Sequence, residues 1–232
     1  LMEQFPLAGH EFLPAGTAQQ FQEELHGYRQ ALRNRQALSP FDRYALSAID
    51  EIEQQLCDAA SELEPRKAAC PKTIIHGDFG PSNILFRGGR IRGVLDFTNA
   101  RQDVRIAEVA YAFSAFSKRS APALNLAMAG TFLRAYQGQN SLTEDELDLL
   151  ARLPVYGRLR SFAWILRQYY SKGHVEAAQW FRDTVELIRW MQGRQDELRA
   201  LCLSVQACRV SHDAPQPQPA WDIPTAGGSV FR

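Results

Sequence analysis

Residues 73–100 read TIIHGDFGPSNILFRGGRIRGVLDFTNA, and the rest of the chain is organised around this stretch. The β-branched pair Ile74 and Ile75 predicts a buried strand, and the polar loop HGDFGPSN follows it directly. The Gly88-Gly89 pair predicts a two-residue turn between two short strands, because both central residues of such a turn take positive φ. The stretch therefore predicts a strand, a polar loop and a β-hairpin, in that order.

Three oxygen-bearing side chains leave the ends of these predicted strands. Asp78 and Asn83 lie in the polar loop, and Asp96 follows the second strand of the hairpin, so we expect the three to converge. Carboxylate and amide oxygens suit Mg²⁺ rather than zinc. A carboxylate that does not bind the metal can orient and deprotonate a hydroxyl. Protein kinases use an Asp, an Asn five residues later and an Asp after a hairpin for phosphoryl transfer.

The sequence HGDFGPSN followed by GVLDF resembles the H-G-D-x-x-x-x-N and hydrophobic-D-F motifs of the aminoglycoside phosphotransferase and choline kinase-like family, which includes type II homoserine kinases. Each motif is weak by itself. The pair is specific at this spacing, with a strand before it, a Gly-Gly hairpin within it and a helix after it. The resemblance covers roughly residues 15–205 and implies the C-terminal lobe of a protein-kinase-like fold.

The resemblance implies a role for each residue that matches the motifs. Asp78 would be the catalytic base that orients the acceptor hydroxyl. Asn83 and Asp96 would be the metal ligands that hold Mg²⁺ on the phosphates of ATP, and His76 would join them in the cofactor-binding set by bracing the loop. The implied reaction transfers the γ-phosphoryl group of ATP to a hydroxyl of a small molecule.

Residues 103–110, DVRIAEVA, resemble the D-P-x-x-x-D-L-A stretch of the same family. Val104 stands where Pro is common, and Glu108 stands where Asp is common. Because of these departures, Asp103 and Glu108 are assigned no role beyond structure. We interpret Glu108 as a charge favoured by the N-terminus of a helix, or as the partner of a nearby Arg.

Two predictions concern the residues after Asp96. Phe97 is predicted to pack in the core beneath Asp96, as the corresponding aromatic residue does in the family. Thr98, Asn99 and Arg101 are predicted to be solvated loop residues.

The remaining chain predicts mainly helices. Capping signals at Thr17 and at Ser39-Pro40 predict helices over 17–35 and 41–63, and the cluster 64–67, which contains Pro65, is expected to end the second. Further helices are predicted over 106–116, 122–136, 155–171 and 176–191. Overlapping capping boxes at Ser141 and Thr143 predict another helix, which continues through 147–153 and is interrupted by Pro154, and 198–208 is expected to finish the fold. The predicted fold class is α+β, mostly α.

The helix over 155–171 allows two interpretations. Arg158, Arg160 and Arg167 lie among aromatic residues, and such a helix would line the acceptor pocket in the family. The favoured interpretation is core packing, with the Arg side chains on a solvated face.

Composition excludes several classes. The chain has 26 basic residues (Lys and Arg) and 26 acidic residues (Asp and Glu), so it carries no net charge. This balance argues against a nucleic-acid-binding surface over the whole molecule. No run approaches the roughly 18 apolar residues of a membrane span, and no secretion signal is visible. The 4 Cys residues form no C-x-x-C motif, which favours a cytoplasmic location over a disulfide framework.

Kinases also need a glycine-rich phosphate loop and a strand Lys paired with a helix Glu. Neither is found, so the N-terminal β-lobe is expected to be absent and the chain to be a fragment with little activity alone. Residues 1–16 are interpreted as an extended segment or the remains of a hinge, 17–208 as the kinase-like C-terminal lobe, and 209–232 as a disordered tail.

Two alternatives of other classes stay open. The chain could be a catalytically silent binding or regulatory module, which the missing lobe favours and the intact set of Asp78, Asn83 and Asp96 disfavours. It could also be a Mg²⁺-dependent hydrolase of phosphate esters. The hydrolase ranks last, because nothing in the sequence resembles a phosphatase nucleophile loop. The acceptor and the oligomeric state stay open as well.

Overall fold

The structure, a computed structural model, describes residues 16–118 and 122–207. Within these ranges the chain is mostly helical with small antiparallel sheets, which confirms the predicted α+β, mostly α class. The helices are α1 (Ala18–Arg33), α2 (Pro40–Ala68), α3 (Arg105–Ser117), α4 (Leu126–Gln139), α5 (Glu144–Leu150), α6 (Leu153–Lys172), α7 (Ala177–Gln192) and α8 (Gln195–Ala207). The strands are β1 (Lys72–Ile75), β2 (Ile84–Arg87), β3 (Arg90–Val94) and β4 (Arg101–Val104). The predicted tail lies outside the described residues, as does the predicted N-terminal segment except for Gly16.

The predicted hairpin is present. Strands β2 and β3 pair antiparallel with Ile84 opposite Val94, and a register shift lies between Leu85 and Phe86. The turn glycines Gly88 and Gly89 take φ values of 59° and 69°, as a two-residue hairpin turn requires. The hairpin follows from local sequence, because the turn chemistry fixes the pairing register.

The second sheet was not predicted. Strand β1 pairs antiparallel with β4, with Ile75 opposite Arg101. Arg101 was predicted to be a solvated loop residue, and this is wrong because the backbone of β4 completes the sheet. The prediction that β1 is buried holds for Ile75, which is 3% exposed, but is wrong for Ile74, which is 73% exposed. Adjacent strand residues point to opposite faces, and one face of this strand lies open.

The N-terminal boundaries of the first two helices follow the predicted capping signals. Thr17 forms a capping box with Gln20 at the start of α1, and Ser39 forms one with Asp42 at the start of α2. Each box satisfies backbone N–H groups that have no partner within the helix.

Helix α2 continues through Pro65, so the prediction that residues 64–67 end the helix is wrong. Side-chain contacts with other helices, which the sequence does not reveal, stabilise its last turn. The Tyr156 hydroxyl donates to Glu64 at 2.6 Å, and Arg66 pairs with Asp148 at 2.9 Å. These tertiary contacts offset the backbone hydrogen bond that Pro65 cannot make.

Two other boundaries differ from prediction. Helix α4 begins at Leu126 rather than at Pro122, because the Asn125 side chain accepts hydrogen bonds from the N–H groups of the first turn. Pro154 lies in the first turn of α6, so it starts a helix as well as interrupting the preceding one.

The hydrophobic core joins the long helices to α3. Phe181 of α7 packs against Phe41 of α2 and Phe162 of α6, with ring centroids 5.7 and 4.7 Å apart. Helix α3 contacts β1, β4, α4 and α6, and its Ile106 and Phe113 are fully buried. Helix α3 is therefore anchored in the core, and the polar loop lies against it.

Arg158 and Arg160 are buried, so the prediction that they lie on a solvated face is wrong. Their guanidinium groups donate to the Ser114 hydroxyl at 3.0 Å and to the Gly16 carbonyl at 2.6 Å, respectively. Arg167 is exposed and pairs with Glu24 at 2.5 Å. These Arg side chains thus tie α6 to α3 and to the start of α1.

None of the described helices combines the length and the apolar character that crossing a membrane requires. The cytoplasmic location stays a prediction.

Candidate active site

The polar loop and the hairpin meet through one backbone hydrogen bond. The loop ends in a short 3₁₀ turn, Pro81–Asn83, and the Leu95 N–H donates to the Asn83 carbonyl at 2.8 Å. This bond extends the pairing of β2 and β3 by one step, so Asp96 emerges at the end of the hairpin where Asn83 lies. The hairpin therefore brings two of the predicted site residues to one end.

The Asp78 carboxylate is half-buried and is held at both oxygens. Its Oδ1 accepts the Tyr111 hydroxyl at 2.7 Å, and its Oδ2 accepts the Asn83 side-chain amide at 2.8 Å. Burial raises the pKa of Asp78 above its ordinary value, although these two donors oppose the shift. The Asp96 carboxylate is near enough to raise the pKa of Asp78 further. Asp96 thus acts on Asp78 electrostatically, although less strongly than burial does.

The amide nitrogen and the amide oxygen of the Asn83 side chain differ in their contacts. Its Nδ2 donates to the Asp78 carbonyl and carboxylate, both at 2.8 Å. Its Oδ1 accepts no hydrogen bond from the described residues. An amide oxygen in this position is a suitable ligand for a hard cation.

The Asp96 carboxylate is exposed. Its backbone takes a φ of 61°, and no other non-glycine residue that the structure describes has a positive φ. Its Oδ1 accepts hydrogen bonds from the Thr98 hydroxyl and N–H at 2.5 and 3.3 Å, and these bonds lower the pKa of Asp96. Asp96 is therefore ionised at neutral pH, and its Oδ2 accepts no hydrogen bond from the described residues.

The chemistry of these donors fits Mg²⁺. Asn83 and Asp96 present one amide oxygen and one carboxylate oxygen, which are hard ligands, and Mg²⁺ in nucleotide sites takes its other ligands from water and phosphate. Within the described ranges, no three His, Cys, Asp or Glu side chains gather into a metal cluster. A magnesium site here would therefore depend on nucleotide oxygens as well as on the protein.

His76 is buried and links the loop to the hairpin. Its Nε2 donates to the Leu95 carbonyl at 2.8 Å, and its Nδ1 accepts the Asp78 N–H at 3.3 Å. Both contacts are to backbone, so the ring holds Asp78 and the residue before Asp96 in a fixed relation. The assignment of His76 to the cofactor-binding set stays a prediction.

Phe97 does not pack in the core, so that prediction is wrong. Its side chain is 60% exposed and contacts the His76 ring, with centroids 4.6 Å apart. The 3₁₀ turn Phe97–Asn99, which the Asp96 carboxylate caps, carries the ring outward.

Glu108 lies in the first turn of α3, which confirms its interpretation as a charge placed at a helix N-terminus, and it pairs with no Arg among the described residues. Its carboxylate accepts the backbone N–H groups of His76 and Gly77, a contact that the sequence analysis did not consider. Gly77 takes φ 78°, and a Cβ there would lie 2.3 Å from the Asn99 carbonyl oxygen. The loop therefore approaches its surroundings so closely that only glycine fits at residue 77.

Tyr111 was missed by the sequence analysis. No signal in the sequence alone marks it, but Tyr111 lies three residues after Glu108 on α3, and residues at this spacing share a helix face. Since Glu108 faces the loop, Tyr111 does too.

A sequence profile of the phosphotransferase enzyme family matches residues 6–150, which is more than half of the chain. The chain belongs to the phosphotransferase enzyme family. This confirms the resemblance to the aminoglycoside phosphotransferase and choline kinase-like family, homoserine kinases included. The matched range contains the polar loop, the hairpin and α3.

Several similar proteins are named homoserine kinases. The one from Rhodopseudomonas palustris (strain BisB5) is 29% identical over 164 residues, covering 68% of this chain and 49% of that protein. The one from Afipia carboxidovorans is 36% identical over 121 residues, 49% of this chain and 37% of that protein. The one from Nitrobacter winogradskyi is 28% identical over 177 residues, 71% of this chain and 53% of that protein. The chain thus spans about half the length of these relatives, or less.

Proposed function

We propose that this chain carries the catalytic residues of an ATP-dependent phosphotransferase, which moves the γ-phosphoryl group to a hydroxyl of a small molecule. The observation that carries the proposal is the Asp78 carboxylate, held at both oxygens in a loop that a backbone hydrogen bond joins to the hairpin before Asp96, in a member of the phosphotransferase enzyme family. We also propose that the chain forms the C-terminal lobe of a protein-kinase-like fold.

Asp78 is the proposed base. Each carboxylate oxygen can accept two hydrogen bonds, so the bonds from Tyr111 and Asn83 leave room for an acceptor hydroxyl. Asp78 would orient that hydroxyl for in-line attack and take its proton as the new bond to phosphorus forms. The raised pKa of Asp78 supports this role, because a base titrates most usefully near the working pH.

Asn83 and Asp96 are the proposed metal ligands, through the oxygens that accept no hydrogen bond from the described residues. When bound, Mg²⁺ would neutralise charge on the phosphates. The ionised Asp96, with its lowered pKa, suits this role at neutral pH. His76 belongs to the cofactor site because it fixes Asp78 relative to Leu95, the residue before Asp96.

L-homoserine is the acceptor that we test first, because the similar proteins are named homoserine kinases. Choline and aminoglycosides follow, as acceptors of the wider family. The described residues contain no glycine-rich phosphate loop with a strand Lys after it, and in kinases these parts hold the phosphates. We therefore expect the 232-residue chain to turn over slowly by itself.

The test is a transfer assay in the presence of Mg²⁺, with the chain in excess over radiolabelled ATP so that slow transfer is measurable. We expect labelled phosphohomoserine with the wild type and about 100-fold less with Asp78→Asn. Asp58→Asn, an exposed position on α2, is the matched control and should match the wild type. If the wild type transfers no label to any of the three acceptor types, the proposal fails. The alternative, a silent kinase-like binding or regulatory module, would then remain.

A further inference from the structure

We propose that Tyr111 is a positioning residue for Asp78: its hydroxyl fixes the plane of the carboxylate that receives the acceptor hydroxyl. This inference rests on the proposed function, because it assigns Tyr111 a role only through the base. Neither the family match nor the names of the similar proteins assign any role to Tyr111.

The hydrogen bonds on the carboxylate come from two different elements. Tyr111 of α3 donates to Oδ1 at 2.7 Å, and Asn83 of the loop donates to Oδ2 at 2.8 Å. The terminal torsion of an Asp side chain is soft, so a carboxylate held at one oxygen can still turn. A donor at each oxygen fixes its plane, and with it the directions of the remaining lone pairs.

Helix α3 is a suitable platform for such a donor. Glu108, one turn before Tyr111, holds the backbone of His76 and Gly77, and the fully buried Phe113 anchors the helix in the core. One helix face therefore sets both the backbone of the loop and the orientation of its carboxylate. The two contacts reinforce each other, because a shift of the loop relative to α3 would break both.

The loop also passes close to the Tyr111 hydroxyl. The Gly80 N–H donates to the Asp78 carbonyl at 2.9 Å, which turns the loop back over α3. A Cβ at Gly80 would lie 3.6 Å from the Tyr111 hydroxyl, so a side chain at residue 80 would contact it. The hydroxyl thus lies between Asp78 and the backbone at Gly80, close to where a phosphoryl acceptor would approach.

The test compares two Tyr→Phe variants that each remove one Tyr–Asp hydrogen bond. Tyr111→Phe removes the bond to Asp78, and the control Tyr170→Phe removes a bond of the same length, 2.7 Å, from Asp42 in the helical core. The assay is the transfer of label from ATP to L-homoserine with the chain in excess. It yields, for each variant, the maximal transfer rate and the chain concentration at which the rate is half-maximal, and thermal unfolding is recorded in parallel.

We expect Tyr111→Phe to lower the transfer rate by about tenfold to a hundredfold, because a misplaced base loses much of its contribution. The chain concentration at half-maximal rate should change by less than about twofold, since the Tyr111 hydroxyl donates to the base, which is not a proposed metal ligand. Tyr170→Phe should lower the melting temperature at least as much as Tyr111→Phe and leave the transfer rate near that of the wild type.

Each other outcome has one meaning. A wild-type rate in Tyr111→Phe, with the wild type active, would overturn the role of Tyr111 and leave the proposed function standing. A faster rate would also overturn it, because Tyr111 would then compete with the acceptor for Asp78. An equal loss of rate in Tyr170→Phe would mean that the loss in Tyr111→Phe reflects lower stability alone, and it would overturn the inference. No transfer by the wild type would overturn the proposed function, and the inference with it.

Discussion

The carboxylate of Glu108 accepts the backbone N–H of Gly77 at 3.1 Å, so the first turn of α3 holds the loop that carries Asp78. The same carboxylate accepts the N–H of His76. A side-chain acceptor from a buried helix thus replaces the strand pairing that the backbone loses where β1 ends.

The first prediction removes the charge of this anchor. Glu108→Gln replaces one accepting oxygen with an NH₂ group that faces a backbone donor, so we expect the free energy of unfolding to fall by about 2 kcal/mol. Urea denaturation measures the change. Glu144→Gln, an exposed first-turn acid on α5, is the control and should change it by less than about 0.5 kcal/mol. Equal effects in the two variants would refute the anchor.

The second prediction concerns the close approach at Gly77. Gly77→Ala combines φ 78° with a Cβ that would lie 2.3 Å from the Asn99 carbonyl oxygen, so we expect a loss of about 3 kcal/mol or more. Gly88→Ala has a similar φ of 59° but meets no atom within 4 Å, and should cost about 1 kcal/mol. Chemical denaturation of both variants separates backbone strain from the steric clash, and a Gly77→Ala variant as stable as Gly88→Ala would contradict the geometry.

The third prediction tests the continuation of α2 through Pro65. Pro65 is exposed and lacks the N–H that would bond within the helix. Pro65→Ala restores that bond without removing buried contacts, which stabilises the helix. The unfolded chain gains conformational freedom when Pro is replaced, which offsets part of this effect, so we expect the free energy of unfolding to rise by about 1 kcal/mol. A decrease, measured by urea denaturation, would mean that the helix needs Pro65 in its last turn.

The fourth prediction is a pH dependence from the pair Arg105 and Glu146. Burial of Glu146 would raise its pKa, but hydrogen bonds from Arg105 at 2.6 Å and from the Thr143 N–H outweigh burial and lower the pKa. A carboxyl with a lowered folded-state pKa contributes stability that is present above its unfolded pKa of about 4.3, and loses it as the pH falls through the folded value.

We therefore expect Glu146→Gln to be about 2 to 3 kcal/mol less stable than the wild type at pH 7. This gap, the difference in the free energy of unfolding between variant and wild type, should be smaller at pH 3. Denaturation curves at both pH values measure it. Glu186→Gln, an exposed position on α7, should show a small gap at either pH. A gap for Glu146→Gln that stays constant with pH would show that the ionised pair adds nothing.

The features that the sequence predicted correctly are set by neighbours along the chain. The Gly88-Gly89 turn depends on two adjacent residues, and the helix starts at Thr17 and Ser39 depend on side chains that bond to their own first turn. The motif pair around Asp78 and Asp96 was found for the same reason, since its spacing is local.

The features that it missed depend on contacts between distant segments. Strand β4 exists because it pairs with β1, and its sequence RQDV has no apolar alternation. The burial of Arg158 depends on Ser114, and the length of α2 beyond Pro65 depends on Tyr156 of α6. Tyr111 became visible only once Glu108 had been placed against the loop.

The central claim is that Asp96 helps to hold a magnesium-nucleotide group beside a base, Asp78, that does not bind it. Calorimetric titration of the chain with ATP in the presence of Mg²⁺ tests this most directly, with Asp96→Asn and Asp78→Asn compared with the wild type. The account predicts Mg²⁺-dependent binding that weakens by about tenfold or more in Asp96→Asn, because a charged ligand is lost, and by less than about twofold in Asp78→Asn. Binding by Asp96→Asn that is as tight as that of the wild type, or wild-type binding that does not depend on Mg²⁺, would contradict it.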